Sequence, residues 1–195
     1  MAKLYFRYGA MGSSKTANAL MVHYNYIERG QSAVLIKPDG EDRDGLDIIR
    51  SRIGLSEKAY SLSWLKKCLP HINKEDIWDC IIVDECQFLS PDDIDFLSDI
   101  VDDYDCPVIC YGLRTDFQGN LFDASARLMA LADVIEEVPT VCWCGKKAQF
   151  NARVKDGKIV RTGSQIEYGG NESYTALCRR HFKKGIVSNP NENKI

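Results

Sequence analysis

A chain of 195 residues holds one ordinary domain, or one with a small appendage, and leaves little room for two substantial ones. Hydrophobic residues at 45% and charged residues at 27% remove any compositional case for disorder. A formal net charge of -3 and the lack of a dense Lys/Arg stripe argue against nucleic acid as a partner, since phosphate backbones are bound by neutralising them. The start, MAKLYFRYG, lacks the parts of a secretory signal, and no apolar run approaches the ~20 residues that span a bilayer, so a cytoplasmic protein without a membrane partner is expected.

Residues 3–8 (KLYFRY) are aromatic and β-prone and read as a first strand. They run into GAMGSSKT, the segment Gly9, Ala10, Met11, Gly12, Ser13, Ser14, Lys15 and Thr16, which has the outline of a phosphate-binding loop with Ser14 where a second glycine is usual. In such a loop, backbone N–H groups at a helix N-terminus converge on phosphate, the lysine spans the β- and γ-phosphates, and the hydroxyl binds Mg²⁺. Serine keeps the amide and is among the least bulky substitutes. After Lys15 the apolar residues Leu20, Met21, Tyr24 and Ile27 form a helical stripe, with Gly30 placed to cap the C-terminus.

Residues 32–37 (SAVLIK) read as a second strand, followed by a loop rich in Gly, Pro and Asp. A third apolar run, residues 80–86 (CIIVDEC), is placed beside the first strand and ends in Asp84 and Glu85; alternate strand residues face opposite ways, so one acid can serve a metal and the other accept a proton. Ser90 and Pro91 then open a helix as N-cap and first helical residue, with Ile94, Leu97 and Val101 as its inner stripe. Residues 107–113 (PVICYGL) read as a fourth strand, 125–134 as a helix and 134–138 as a fifth strand. Alternating strands and helices imply a mainly parallel sheet with helices on both faces.

The character changes near Pro139. A strand pair turns at Asp156-Gly157, a strong hairpin signal, and residues 174–184 (YTALCRRHFKK) read as a helix before a frayed polar tail. Of the eight cysteines, Cys68, Cys80, Cys86, Cys106 and Cys110 sit in or beside apolar runs and read as reduced, buried thiols. Cys142, Cys144, Cys178 and His181 form a four-member thiolate and imidazole set suited to a closed, structural zinc site. The chain divides as 1–140, a nucleotide-binding domain; 141–187, a small cysteine-bearing domain; and 188–195, a tail.

Five linked segments, GAMGSSKT, DECQF, YGLRTDFQG, VCWCG and IEYGGNESY followed by CRRH, together resemble the type II thymidine kinases over nearly the whole chain. That resemblance implies a P-loop (RecA-like) α/β fold with a zinc-binding lasso, and transfer of the γ-phosphate of ATP to the 5′-hydroxyl of thymidine in nucleoside salvage. By position it implies that Glu85 is the general base, that Asp84 and Thr16 hold Mg²⁺, and that Gly9 to Thr16, Gln87 and Arg43 attend the ATP phosphates. Phe88, Leu113, Phe117, Phe122 and Tyr174 would enclose the thymine ring, and Gln165, Ile166, Glu167, Tyr168 and Gly169 would form the lasso that grips the base. The family usually has two residues between its first two cysteines, where this chain has only Trp143. A homotetramer and feedback inhibition by dTTP are implied by the resemblance alone. An ATP-driven nucleic-acid-remodelling factor is the rival reading, and a non-catalytic nucleotide switch the next; neither gives Glu85 a hydroxyl to deprotonate, and the acidic balance argues against the first.

Overall fold

The computed structural model describes residues 1–41, 45, 47–165 and 174–188. Its centre is a six-stranded sheet made of β1 (Leu4–Tyr8), β2 (Ala33–Lys37), β5 (Tyr60–Ser61), β6 (Cys80–Val83), β7 (Val108–Gly112) and β8 (Val134–Glu137), in the order β5-β2-β6-β7-β1-β8. Every pairing in it is parallel. Between β2 and β5 stands a small antiparallel pair, β3 (Ile48–Arg50) and β4 (Ser56–Lys58), which sequence reasoning did not anticipate.

Parallel strands need crossovers that cover both faces, and the central strands are apolar throughout for that reason. Val34, Ile36, Ile81 and Val83 pack on one face with α2 (Leu62–Cys68), α3 (Pro91–Tyr104) and α4 (Asp123–Leu131), while Leu35 and Ile82 pack on the other with Ala19 and Leu20 of α1 (Lys15–Glu28). Period-two alternation thus divides one apolar run between two cores. α3 begins as its sequence predicts: the Ser90 hydroxyl accepts from the Asp93 N–H, and the Asp93 carboxylate accepts from the Ser90 N–H, a reciprocal capping box.

The expected helical stripe on α1 is present but divided: Leu20 is buried, while Met21, Tyr24 and Ile27 are 55%, 61% and 49% exposed, because α1 meets the sheet through Ala19 and Leu20. Three expectations are corrected. β6 does not lie beside β1, since β7 intervenes. β6 also stops at Val83, so Asp84 and Glu85 lie beyond the strand; Glu85 takes a left-handed φ of 51° and opens a 3-10 turn over Cys86–Phe88. Finally, Tyr174–Leu177 is a strand rather than helix, and the helix starts only after it.

That strand, β13 (Tyr174–Leu177), pairs antiparallel with β11 (Phe150–Lys155), which turns through Asp156 and Gly157, both at positive φ, into β12 (Lys158–Ile159) as the hairpin signal requires. β9 (Thr140–Val141) and β10 (Lys147–Ala148) form a second short pair, and α5 (Arg179–Lys184) closes the segment. Its core is small: Cys142, Ala148, Ala152, Leu177, Cys178 and Phe182.

Candidate active site

In a parallel sheet the strands' carboxyl ends define one edge, and ligands bind there. β1 delivers the loop Gly9–Thr16 to that edge, β6 delivers Asp84 and Glu85, and β7 delivers Leu113. They open on a cavity of about 770 Å³ lined by the loop from Met11 to Ala17, by Glu85, Gln87, Phe88, Leu113, Phe117 and Phe122, and by Asn151, Gln165 and Tyr174.

The loop's shape follows from its small residues. A Cβ at Gly9 would lie 2.4 Å from both the Ser13 Oγ and the Val138 carbonyl oxygen, so only glycine fits. Gly12 adopts φ +76°, and Ser14, where the loop's usual glycine is missing, is held at φ 60°, ψ 27°. A non-glycine residue in this left-handed region carries a strain of about 1 kcal/mol. Lys15 is buried, and its Nζ donates to the carbonyls of Gly9 and Ala10, each at 3.0 Å, and to the Ser13 Oγ at 3.3 Å. Burial lowers its pKa, while the charges of Glu85 and Asp84 act in the opposite sense and that of Arg52 adds to the lowering.

Asp84 is buried, and desolvation together with the charge of Glu85 pushes its pKa well above the usual carboxylate range, against the influence of the neighbouring Thr16 hydroxyl. That proximity brings the end of the phosphate loop to the end of β6 although β7 lies between their strands; α1, which starts at Lys15, packs across β2, β6 and β7 and carries Thr16 over. Glu85 is aimed by Gln87. The buried Gln87 donates through Nε2 to the Glu85 Oε2 at 2.6 Å and accepts through Oε1 from the Leu113 N–H at 2.9 Å. Room for it depends on Gly112, where a Cβ would come within 2.7 Å of the Gln87 Oε1 and 2.5 Å of the Cys86 Sγ.

Beyond Glu85 the walls turn aromatic. Phe88 and Phe122 meet edge to face at 6.2 Å, and Phe117 lies under the Arg153 guanidinium at 3.8 Å. Arg153 also donates to the Tyr174 hydroxyl at 2.9 Å and to the Ser164 carbonyl at 3.0 Å, fastening two lining elements to one buried cation. Asp116, buried, receives the N–H groups of Gln118 and Asn120 and the Gln165 Nε2 at 3.2 Å.

The structure therefore brings together Met11 to Thr16, Glu85, Gln87, Phe88, Leu113, Phe117, Phe122, Gln165 and Tyr174 around one cleft, with Gly9 and Ala10 behind the loop and Asp84 buried beside Thr16. Arg43 and the stretch Ile166, Glu167, Tyr168 and Gly169 lie outside the described residues. Sequence reasoning missed the end of β3 and the turn that follows it, where Arg50, Ser51, Arg52, Ile53 and Gly54 line the cavity along with the phosphate loop. Ser51 ties that turn shut, donating its N–H to the Leu55 carbonyl at 2.7 Å and accepting the Leu55 N–H on its Oγ at 3.0 Å. No sequence signal pointed to it, because two short strands joined by a turn lack a usable hydrophobic period.

Away from the cleft, Cys142, Cys144, Cys178 and His181 bring one donor atom each within 4.8 Å of the others. The Cys142 Sγ lies 3.4 Å from the His181 Nδ1, and the Cys144 and Cys178 sulfurs are 4.0 Å apart. Zinc bound tetrahedrally, with Zn–S of ~2.3 Å and Zn–N of ~2.0 Å, sets its donors roughly 3.5–3.8 Å apart, so the cluster has the size such an ion needs. Trp143 stacks on the His181 ring at 4.2 Å, holding the imidazole despite the single residue between the two cysteines.

A phosphate loop at the end of a parallel strand, with Glu85 just past a second strand lining its cleft and Asp84 buried beside Thr16, defines a P-loop nucleotide-binding protein. The sequence profile of the family described as Thymidine kinase matches residues 2–182. The chain belongs to the thymidine kinase family. It is 44% identical over 189 residues to a thymidine kinase of Haemophilus influenzae (strain 86-028NP), covering 94% of this chain and 97% of that protein. It is 44% identical over 190 residues to one of Shewanella oneidensis, covering 95% and 99%, and 43% identical over 190 residues to one of Rhodopirellula baltica, covering 95% and 90%. Among solved structures, the replication initiator DnaA bound to AMPPCP and single-stranded DNA aligns with a TM-score of 0.44 at 16% identity, over 71% of this chain and 41% of that one. Family membership favours a kinase over the nucleic-acid-remodelling reading.

Proposed function

We propose that the chain transfers the γ-phosphate of ATP to the 5′-hydroxyl of thymidine. The observation that carries this is a single cleft in which the Lys15 loop and Glu85 share walls with Phe88, Phe117, Phe122 and Tyr174, giving triphosphate, proton acceptor and a flat base adjoining places. Phosphoryl transfer demands alignment and charge stabilisation more than covalent chemistry. The amides of Gly12 to Thr16 and the ammonium of Lys15 take the phosphates; on binding, that ammonium gives up its carbonyl partners Gly9 and Ala10 for phosphate oxygens. Glu85, steadied by Gln87, accepts the proton of the attacking hydroxyl. Thr16 and Asp84 already meet and suit a Mg²⁺ accompanying ATP, which when bound spreads the developing phosphate charge.

Arg43 and residues 165–169 are assigned to phosphate and base by the family's pattern. The Cys142, Cys144, Cys178 and His181 cluster would hold a structural zinc ion with no coordination position left for water. Residues 1–140 form the catalytic domain and 141–187 a module that finishes the acceptor side. The exposed Met21, Tyr24 and Ile27 face of α1 supports assembly with further copies of the chain, the homotetramer expected of the family. Among the described residues no helix is long and apolar enough to cross a membrane. A cytoplasmic salvage role with feedback by dTTP completes the reading.

The test is ADP release from Mg-ATP with thymidine, with single-stranded DNA and with neither. Turnover should require thymidine. Glu85→Gln keeps the shape that Gln87 packs against and should lower kcat by roughly 10²–10⁴-fold with little change in ATP binding. Stimulation by DNA without response to thymidine would reject the assignment.

A further inference from the structure

Asn151 belongs to β11, in the segment that carries the cysteine cluster, yet its side chain lies in the active-site wall. It is 3% exposed. Its Oδ1 accepts the Met11 N–H of the phosphate loop at 2.8 Å, and its Nδ2 donates to the Thr115 carbonyl at 2.9 Å. Thr115 directly precedes Asp116 and Phe117, which line the aromatic end of the cleft. One planar amide therefore spans the donor and acceptor halves of the site with both of its polar atoms used. Its orientation is dictated by the partners, since Met11 offers only a hydrogen and Thr115 only an oxygen.

The same loop is touched from the same side twice more. The Thr140 Oγ1 donates to the Gly12 carbonyl at 3.3 Å, and the Val138 carbonyl closes over Gly9. The front of the phosphate loop thus rests on residues beyond β8, not only on its own strand and helix. The Met11 amide cannot serve a phosphate without first releasing Asn151, just as that of Ser13 must first release the Ala10 carbonyl.

We infer that Asn151 is a positioning residue that sets the spacing of the phosphate loop against the nucleoside wall, so that occupancy of one half of the cleft is felt by the other. The inference rests on the kinase reading above. Without the bridge, the buried Thr115 carbonyl keeps no partner, the part-buried Met11 N–H loses its own, and the two walls can drift; a misplacement of about 1 Å between reacting groups costs on the order of 10²-fold in rate.

The experiment measures thymidine affinity by calorimetry with and without a non-hydrolysable Mg-ATP analogue, in the full-length chain and in Asn151→Ala and Asn151→Thr, alongside kcat, KM and thermal unfolding. In the unaltered chain the analogue should tighten thymidine binding. The variants should lose that tightening and should lose kcat by roughly ten- to a hundredfold, with KM for either substrate changing less. A residue that served only stability would lower the melting temperature and leave the coupling intact. Should both variants fail to fold, amide hydrogen exchange in the unaltered chain still decides: the Met11 N–H should exchange ~10-fold or more slowly than that of Gly12 before any ligand is added, and should stay protected when the analogue binds. Coupling that survives in a folded Asn151→Ala, absence of coupling in an unaltered chain that binds both ligands, or an unprotected Met11 amide would overturn the inference while leaving the kinase reading in place. Failure of the unaltered chain to bind thymidine at all would overturn that reading and this inference with it.

Discussion

The two halves of the cleft are held by different forces. The phosphate loop and Glu85 hang from a parallel sheet whose main core includes Leu4, Phe6, Ile36, Ile81, Leu97 and Val108, all nearly or completely removed from water. The segment after Pro139 buries Cys142, Ala148, Ala152, Leu177, Cys178 and Phe182, and two of those six are members of the Cys/His cluster. Apolar burial at ~25 cal/mol per Å² suffices for the first and not for the second. The part that carries the phosphate loop is thus stable for reasons that have nothing to do with the site, while the segment after Pro139, which adds Asn151, Gln165 and Tyr174 to the cleft wall, depends on specific polar and donor contacts.

The largest effect should come from breaking the weaker half alone. Cys144→Ser, or removal of metal with a chelator, should abolish thymidine-dependent turnover and open residues after Pro139 to proteolysis, while circular dichroism still reports the parallel sheet. Metal analysis should give about one zinc per chain; a metal-free chain with full activity would erase the contrast. A smaller effect is expected at the turn between β3 and β4. Arg52 is exposed and lines the cavity along with the phosphate loop, and its positive charge repels that of Lys15, a repulsion that a bound triphosphate would relieve. Arg52→Ala should raise KM for ATP about tenfold, with KM for thymidine little changed.

The stronger half also has weak points, placed where function requires them. Asp84 has a folded pKa above its unfolded one, because burial disfavours its charge. The folded chain then binds that proton more tightly, so this group's contribution falls as pH rises from the unfolded value near 3.9 through the folded one. Asp84→Asn should therefore raise the melting temperature by a few degrees at pH 8, less at pH 5, and remove activity. Calorimetric scans at both pH values check the sign. Smallest of all, Ser14→Gly should relieve the left-handed strain of about 1 kcal/mol, a gain of roughly 2–4 °C in melting temperature.

Much of the catalytic half was readable beforehand because its signals are local. Gly9 to Thr16 specify a turn before a helix, alternating apolar residues specify strands, and Ser90-Pro91 specify a cap, each through neighbours in the chain. The errors came where neighbours do not decide. Tyr174–Leu177 has a composition that suits helix or strand, and it is a strand because β11 offers an unpaired edge for it to complete. Met21, Tyr24 and Ile27 share a helical period with Leu20, yet which part of a stripe faces inward depends on what the helix rests upon.

By itself, the order of residues determined the parallel sheet, the phosphate loop, the acid pair and the four metal-type ligands, since each is encoded by short-range spacing and by the chemistry of the side chains themselves. Only the tertiary structure decided that β7 would stand between the loop's strand and the acids' strand, and that Asn151 and Arg52 would reach the cleft from segments far along the chain. Those placements come from packing and hydrogen-bond closure between distant segments. Such contacts leave no periodic trace in the sequence, because each is made once, by partners that only folding brings within reach.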